Sequence, residues 1–131
     1  MLLEGVNYWA VLTAAVANMI LGGFWYSDVM FIKSWERITK VNMKKTPKMA
    51  FLWAFISAFV TAYILANVFQ YVGVDGVIEG ITTAFWMWLG FVATVTAGMN
   101  LWERRPIKLY LINNGYNLLS MIVIGIILAV W

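Results

Sequence analysis

Cysteine and histidine are both absent from this 131-residue chain. Their absence excludes disulfides, thiolate chemistry, Cys/His zinc sites, His-ligated haem and imidazole acid–base catalysis in one step. Charge is scarce as well: Asp, Glu, Lys and Arg make up 11% of the residues, where soluble domains carry about 25%. None of these charges falls in the middle of a long apolar segment. A proton-coupled antiporter, including the small four-helix multidrug type, needs a carboxylate within the membrane. The nearest candidate, Glu79, stands at the start of an apolar run and suits a solvated first turn of a helix. A serine–base pair, a glycine-rich phosphate loop and paired carboxylates on one face are missing too. The expectation is a protein that is not an enzyme and holds no metal or cofactor; the eight scattered methionines read as packing or lipid-facing residues.

What is present is apolar surface. Hydrophobic residues make up 63% of the chain, and the mean hydropathy is +0.82. A span needs about 20 apolar residues. Four segments qualify, at about residues 6–26, 47–71, 77–102 and 107–131, and they use up nearly the whole length. The pattern predicts an all-α, polytopic membrane protein: four transmembrane helices in a single domain, 1–131, with no room for a soluble one. The opening MLLEGVNYW has Glu4 where a secretory signal would have basic residues, so a retained first span is expected. Tyr8 and Trp9 at one end of that span, and Trp25 and Tyr26 at the other, suit an interfacial aromatic belt.

Between the first two spans lies a basic stretch, residues 24–48. On a helix Phe31, Trp35 and Ile38 share one face and Lys33, Arg37 and Lys40 nearly the opposite one. This predicts a short amphipathic helix at about residues 28–40, lying in the interface with its basic face toward headgroups. Val29 and Ile32 fall off the apolar face. Ser27 or Asp28 is the expected cap, and Glu36 stands four residues before Lys40, the favourable spacing for an ion pair. Thr46-Pro47 reads as an N-cap followed by a first-turn proline.

Further on, Ala54, Ala58, Ala62 and Ala66 form a smooth stripe on the second span. A short turn around Asp75 joins it to the third. There Thr83, Gly90, Ala93, Thr94 and Ala97 make another small face, and Trp86 and Trp88 stand near mid-span, where burial between helices is expected. Every basic residue lies at the first loop or beside the third, the latter holding Arg104, Arg105 and Lys108. The positive-inside rule then places both basic loops in the cytoplasm and both termini outside, in the cell membrane. The pI of 9.3 reflects these two loops. Anionic headgroups, worth about 1 kcal/mol per nearby Lys or Arg, are the expected partner; nucleic acid is not.

The polar content of the spans is the candidate site. Tyr110, Asn113, Asn117 and Ser120 fall within an arc of about 80° on a helix of 3.6 residues per turn, and Asn114 widens it. Asn18 lies at similar depth in the first span. Thr94 and Asn100 on the third reach the depth of Asn113 and Asn114. An unpaired amide in hydrocarbon costs several kcal/mol, so these groups are expected to face one another, a hydrated solute path, or another subunit.

The blocks Asn7-Tyr8-Trp9, Gly22-Gly23-Phe24-Trp25-Tyr26-Ser27, Phe31 and Trp35, with Trp88-Leu89-Gly90-Phe91 and Leu111-Ile112-Asn113-Asn114-Gly115-Tyr116, are similar to those of a prokaryotic integral membrane family, domain of unknown function 1761. The likeness runs along essentially the whole chain. One departure is Asp28, where such sequences often carry proline. The resemblance implies four spans and brings no functional residues with it. The expected function is that of a non-catalytic accessory or structural subunit of a membrane complex, or of a homo-oligomer, with bound lipids and with other membrane subunits or itself as partners. The alternative is a channel or facilitator for a small polar solute along the Asn/Thr-lined face.

Overall fold

The computed structural model describes residues 5–131, so the expectation for Glu4 lies outside the described residues. Six helices follow in order: α1 (Tyr8–Trp25), α2 (Ile32–Thr39), α3 (Lys48–Val72), α4 (Val77–Trp88), α5 (Thr94–Trp102) and α6 (Ile107–Val130). A 3₁₀ turn, Met43–Lys45, precedes α3, and a π turn, Leu89–Ala93, joins α4 to α5. There is no strand among the described residues. The segment Val77–Trp102 runs on as one helical rod of 26 residues, and it, α1, α3 and α6 are each long and apolar enough to cross a membrane.

α6 packs mainly on α1 and α4, and α3 packs mainly on α1 while its Phe69 reaches the α4–α6 contact. The half of the bundle nearer the chain termini is filled by small and branched residues. Val11, Ala14, Ala62, Ala84 and Ile124 are fully buried, with Leu65 and Phe69 beside them. Ala58, Ala62 and Ala66 are buried, so the alanine stripe is largely used inside the chain, and only its end, Ala54, is exposed.

The closest approach is between α4 and α6. A Cβ added at Gly125 would stand 3.0 Å from the Ala84 Cβ and 3.0 Å from the Gly80 carbonyl oxygen. One at Gly80 would stand 2.8 Å from the Ala129 Cβ. Gly80/Ala84 and Gly125/Ala129 are thus two small-xxx-small pairs facing each other, the arrangement that lets helix backbones touch. α3 ends at Gly73, whose φ of 77° is the left-handed geometry of a helix C-cap.

Several local expectations are corrected. The helix expected at residues 28–40 begins only at Ile32, with Phe31 as a cap that makes no side-chain bond. Ser27 cannot cap it, because its hydroxyl donates to the Phe24 carbonyl at 2.6 Å, closing α1 instead. A turn held by Met30 N–H to Ser27 O (3.0 Å) and Phe31 N–H to Trp25 O (3.1 Å) fills the gap, with Asp28 in place of the proline. Glu36 does not pair with Lys40: one carboxylate oxygen accepts from the Met43 N–H at 2.7 Å, tying α2 to the next turn.

Within α2, Ile32 is its buried residue. Phe31 packs on Trp25 (centroids 4.7 Å apart) and Trp35 on Tyr26 (6.0 Å). Ile38 is half-buried, and Lys33, Arg37 and Lys40 are exposed. Thr46 is not the cap of α3, because its hydroxyl donates to Met43 O; Pro47 takes that place and the helix starts at Lys48. Trp86 is 58% exposed rather than buried between helices, and Trp88 is half-buried with its indole nitrogen fully enclosed.

Replacing Gly125 with Val should lower stability by about 1–3 kcal/mol, the usual cost of overpacking. Gly98, around which an added Cβ meets nothing within 4 Å, is the matched control. Gly98→Ala should leave stability unchanged or raise it by about 0.5–1 kcal/mol. Melting temperatures of the two variants in one detergent check both.

Candidate functional site: an amide-lined cleft beside α6

The polar groups of α6 bind in three directions. Toward α1, the Asn18 side-chain oxygen accepts from the Tyr116 hydroxyl at 3.0 Å and from the Ser120 hydroxyl. Toward the end of α1, Tyr26 donates to the Asn113 side-chain oxygen at 2.8 Å, and the Trp25 indole donates to the Ile112 carbonyl at 3.0 Å. Toward the third rod, Tyr110 donates to the Ala93 carbonyl at 2.9 Å, and the Asn114 oxygen lies 2.7 Å from the Thr96 hydroxyl. The Asn114 amide nitrogen donates back to the Tyr110 carbonyl at 3.2 Å.

Two glycines make the α1–α6 contact possible. A Cβ at Gly115 would stand 3.1 Å from the Trp25 ring, and one at Gly22 would stand 3.0 Å from the Tyr116 hydroxyl. Each helix therefore offers a notch to an aromatic of the other. These residues belong to the two blocks quoted above for the family resemblance, far apart in sequence and joined in space.

The π turn decides which residues of the third rod take part. An uninterrupted α-helix continuing Gly80 and Ala84 inward would bring Phe91 and Val95 to the interior. Phe91 is instead 71% exposed and Val95 55%, while Ala93 is buried and Thr96 half-buried. A π turn inserts one residue into the helical repeat and advances the inward phase by one position. The carbonyls of the widened turn are met by side chains: Thr94 donates to Gly90 O (2.8 Å), Thr96 lies against Val92 O (2.6 Å), and Tyr110 reaches Ala93 O.

Five of the expected polar residues come together. Asn100, Tyr110, Asn113, Asn114 and Asn117 line a cleft of about 490 Å³ between α2, α5 and α6, with Thr96 in its wall and Trp35 and Thr39 at its side. Glu103 and Arg105, an exposed pair 3.8 Å apart, stand at its mouth. Asn100 is also structural, its nitrogen donating to Arg105 O at 3.1 Å.

Asn18 and Ser120 belong to a second, inner cavity of about 280 Å³, lined also by Ser57, Thr61, Tyr116 and Asn117. Asn117 lines both spaces, and its side chain makes no hydrogen bond among the described residues. Thr94 is not brought to the site, because the π turn leaves it exposed and bonded to its own helix.

Sequence reasoning also missed Trp25, Tyr26, Thr96, Tyr116, Ser57 and Thr61. Tyr116 stands inside a block already singled out, and a search of aromatic hydroxyls at the depth of Asn18 could have found it. Thr96 carried no signal without the π turn. No group of three metal-ligating acidic residues occurs among the described residues.

Asn18→Leu removes the acceptor shared by two hydroxyls. It should destabilise the bundle by about 0.6–1.7 kcal/mol per lost contact, the range of hydrogen bonds between membrane helices. A double-mutant cycle with Tyr116→Phe should return a coupling of that order; thermal melts of the four proteins measure it.

No curated protein and no solved structure matches the chain. Residues 9–129 match the family described as a protein of unknown function (DUF1761), and the chain belongs to that family.

Proposed function

We infer that the protein is a non-catalytic, four-span membrane protein whose cleft admits a small uncharged polar solute from the cytoplasmic side. In this reading both termini lie outside, the basic loops lie in the cytoplasm and α2 rests in the interface. The observation that carries it is Asn117. An amide without a partner inside an apolar bundle costs several kcal/mol, and this half-buried side chain lines two cavities, where water or a solute can satisfy it. The polar side chains that reach these cavities beyond Glu103 and Arg105 at the mouth are amides and hydroxyls with no charge, so a neutral ligand with donors and acceptors fits better than an ion, which would have to shed its hydration without a countercharge.

Beyond Ser120 the path meets the dry cluster of Val11, Ala62, Phe69 and Ile124. In this reading the cleft opens on the basic side and the dry cluster closes the other, so release across the membrane requires that cluster to part. Liposomes carrying the protein should take up urea or glycerol faster than protein-free ones. In the Asn117→Leu variant, with its melting temperature unchanged, uptake should fall to the protein-free rate. Absent uptake by the parent protein, or undiminished uptake by the variant, overturns the reading.

A second reading, as an accessory subunit or homo-oligomer, is favoured by one face. Gly90, Thr94 and Ala97 are exposed along the third rod, and an added Cβ at Gly90 meets nothing. The chain has no cysteine of its own, so Ala97→Cys gives a single reporter. Oxidation in native membranes should yield one defined cross-linked species if this face meets a second copy or another thiol-bearing subunit. Monomer alone counts against that face as the contact.

A further inference from the structure

A pair of adjoining cavities beside α1 and the turn before α3 plays no part in either reading. The first, about 510 Å³, is lined by Tyr26, Ser27, Asp28, Glu36, Asn42 and Lys44, with Ile32 and Met43. The second, about 420 Å³, is lined by Met19, Gly22, Gly23, Phe51 and Ala54, with Tyr26, Met43 and Tyr116. Tyr26 and Met43 line both. A polar mouth at the basic end thus adjoins an apolar slot lined by α1, α3 and Tyr116 of α6. At a rise of about 1.5 Å per residue, Met19 lies roughly 10 Å deeper along α1 than Tyr26.

The charges of the mouth are of both signs and do not neutralise each other. Asp28 and Lys44 are exposed and neither forms an ion pair, although both line the same cavity. Glu36 commits one oxygen to the Met43 N–H. Two carboxylates and one ammonium around a single cavity complement a zwitterion better than an anion, because a second negative charge would face Asp28 and Glu36. A primary ammonium can donate hydrogen bonds to those carboxylates, whereas a quaternary ammonium has no proton to give.

We propose that this double cavity is a site for one phospholipid with a zwitterionic, primary-amine headgroup, the phosphate at Lys44, the ammonium at Asp28 and Glu36, and an acyl chain in the Gly22–Gly23 slot. The proposal rests only on the membrane-spanning reading; the slot shares Ala54 and Tyr116 with the inner cavity beside Asn117, but neither cavity of the pair shares a residue with the cleft of Asn100, Tyr110, Asn113 and Asn114. The basic residues outside the mouth, Lys33, Arg37 and Lys40, remain free for general attraction to anionic headgroups.

Gly23 offers a clean test. A Cβ there meets nothing within 4 Å, so Gly23→Leu adds bulk at the slot wall with no clash at its first side-chain carbon. Gly22 is unsuitable because its Cβ would press on Tyr116. Asp28 makes no side-chain hydrogen bond, so Asp28→Asn removes charge without removing a fold contact.

Delipidated full-length protein in detergent is offered phosphatidylethanolamine, phosphatidylcholine or phosphatidylglycerol with identical acyl chains, and retained lipid is counted by native mass spectrometry. Expected is one phosphatidylethanolamine retained in preference to the other two. The preference should weaken in Asp28→Asn and retention should be lost in Gly23→Leu, with both variants melting at the parent temperature. Equal retention of ethanolamine and choline lipids, a preference for phosphatidylglycerol, or indifference to Gly23→Leu overturns the proposal. Glycerophosphoethanolamine, which lacks acyl chains, should fail to displace the lipid; displacement at equal concentration would reduce the site to a soluble headgroup pocket and overturn the lipid assignment. A variant that melts early is replaced by Gly23→Val, read in the same way.

Discussion

The requirement that amides and hydroxyls find partners away from water organises this bundle. α6 carries Tyr110, Asn113, Asn114, Tyr116 and Ser120 within three turns, and each is bonded to another segment or to the helix itself. Leaving one such group unpaired in an apolar interior costs more than a single hydrogen bond returns. The sum is a strong preference for the one arrangement in which α1 and the third rod both face α6. Apolar packing supplies bulk to the opposite half, where Val11, Ala62 and Ile124 are fully buried, but such packing tolerates small shifts that directed bonds do not.

The two halves of the molecule therefore differ in kind. Near the termini, glycine and alanine let α4 and α6 touch, and dispersion between close backbones holds the interface. Near the basic loops the contacts between helices run through aromatic and amide side chains, with cavities beside them. The π turn sits at the boundary. It converts a rod whose inward face is glycine and alanine into one that presents Ala93 and the Thr96 hydroxyl inward, and its own loosened carbonyls are taken up by Tyr110 and two threonines.

The architecture was legible in the sequence because it depends on composition over long windows. Four apolar runs bounded by charge or turn residues gave the four long helices, and the small-residue periodicity on α3 pointed to a packed face. Local chemistry was harder to read. Ser27 and Thr46 are good caps by residue type, yet each hydroxyl serves a carbonyl three residues back, a competition that sequence alone does not settle. Thr94 was expected at the site on an unbroken helical repeat, and a single inserted residue put Thr96 there instead.

The Trp25 bond was invisible for another reason. Its acceptor is a main-chain carbonyl, Ile112 O, which every residue possesses, so no side-chain pattern marks it. The clustering of Asn113, Asn114 and Asn117 was legible, since it needs only the angular position on one helix. What those amides touch was not, because it depends on how neighbouring helices are rotated.

The reciprocal notches at Gly22 and Gly115 act as a pair of dowels. Sliding α6 past α1 by one turn, about 5.4 Å, would drive Trp25 and Tyr116 out of their sockets and into side chains with no room for them. Piston-like motion between these two helices is thereby blocked in both directions. Rotation about the dowels is not, since a ring can turn in its notch while its hydrogen bond follows. Relative motion of α1 and α6 is then confined to a tilt pivoting near Trp25 and Tyr116, with the lever arm lying toward the chain termini.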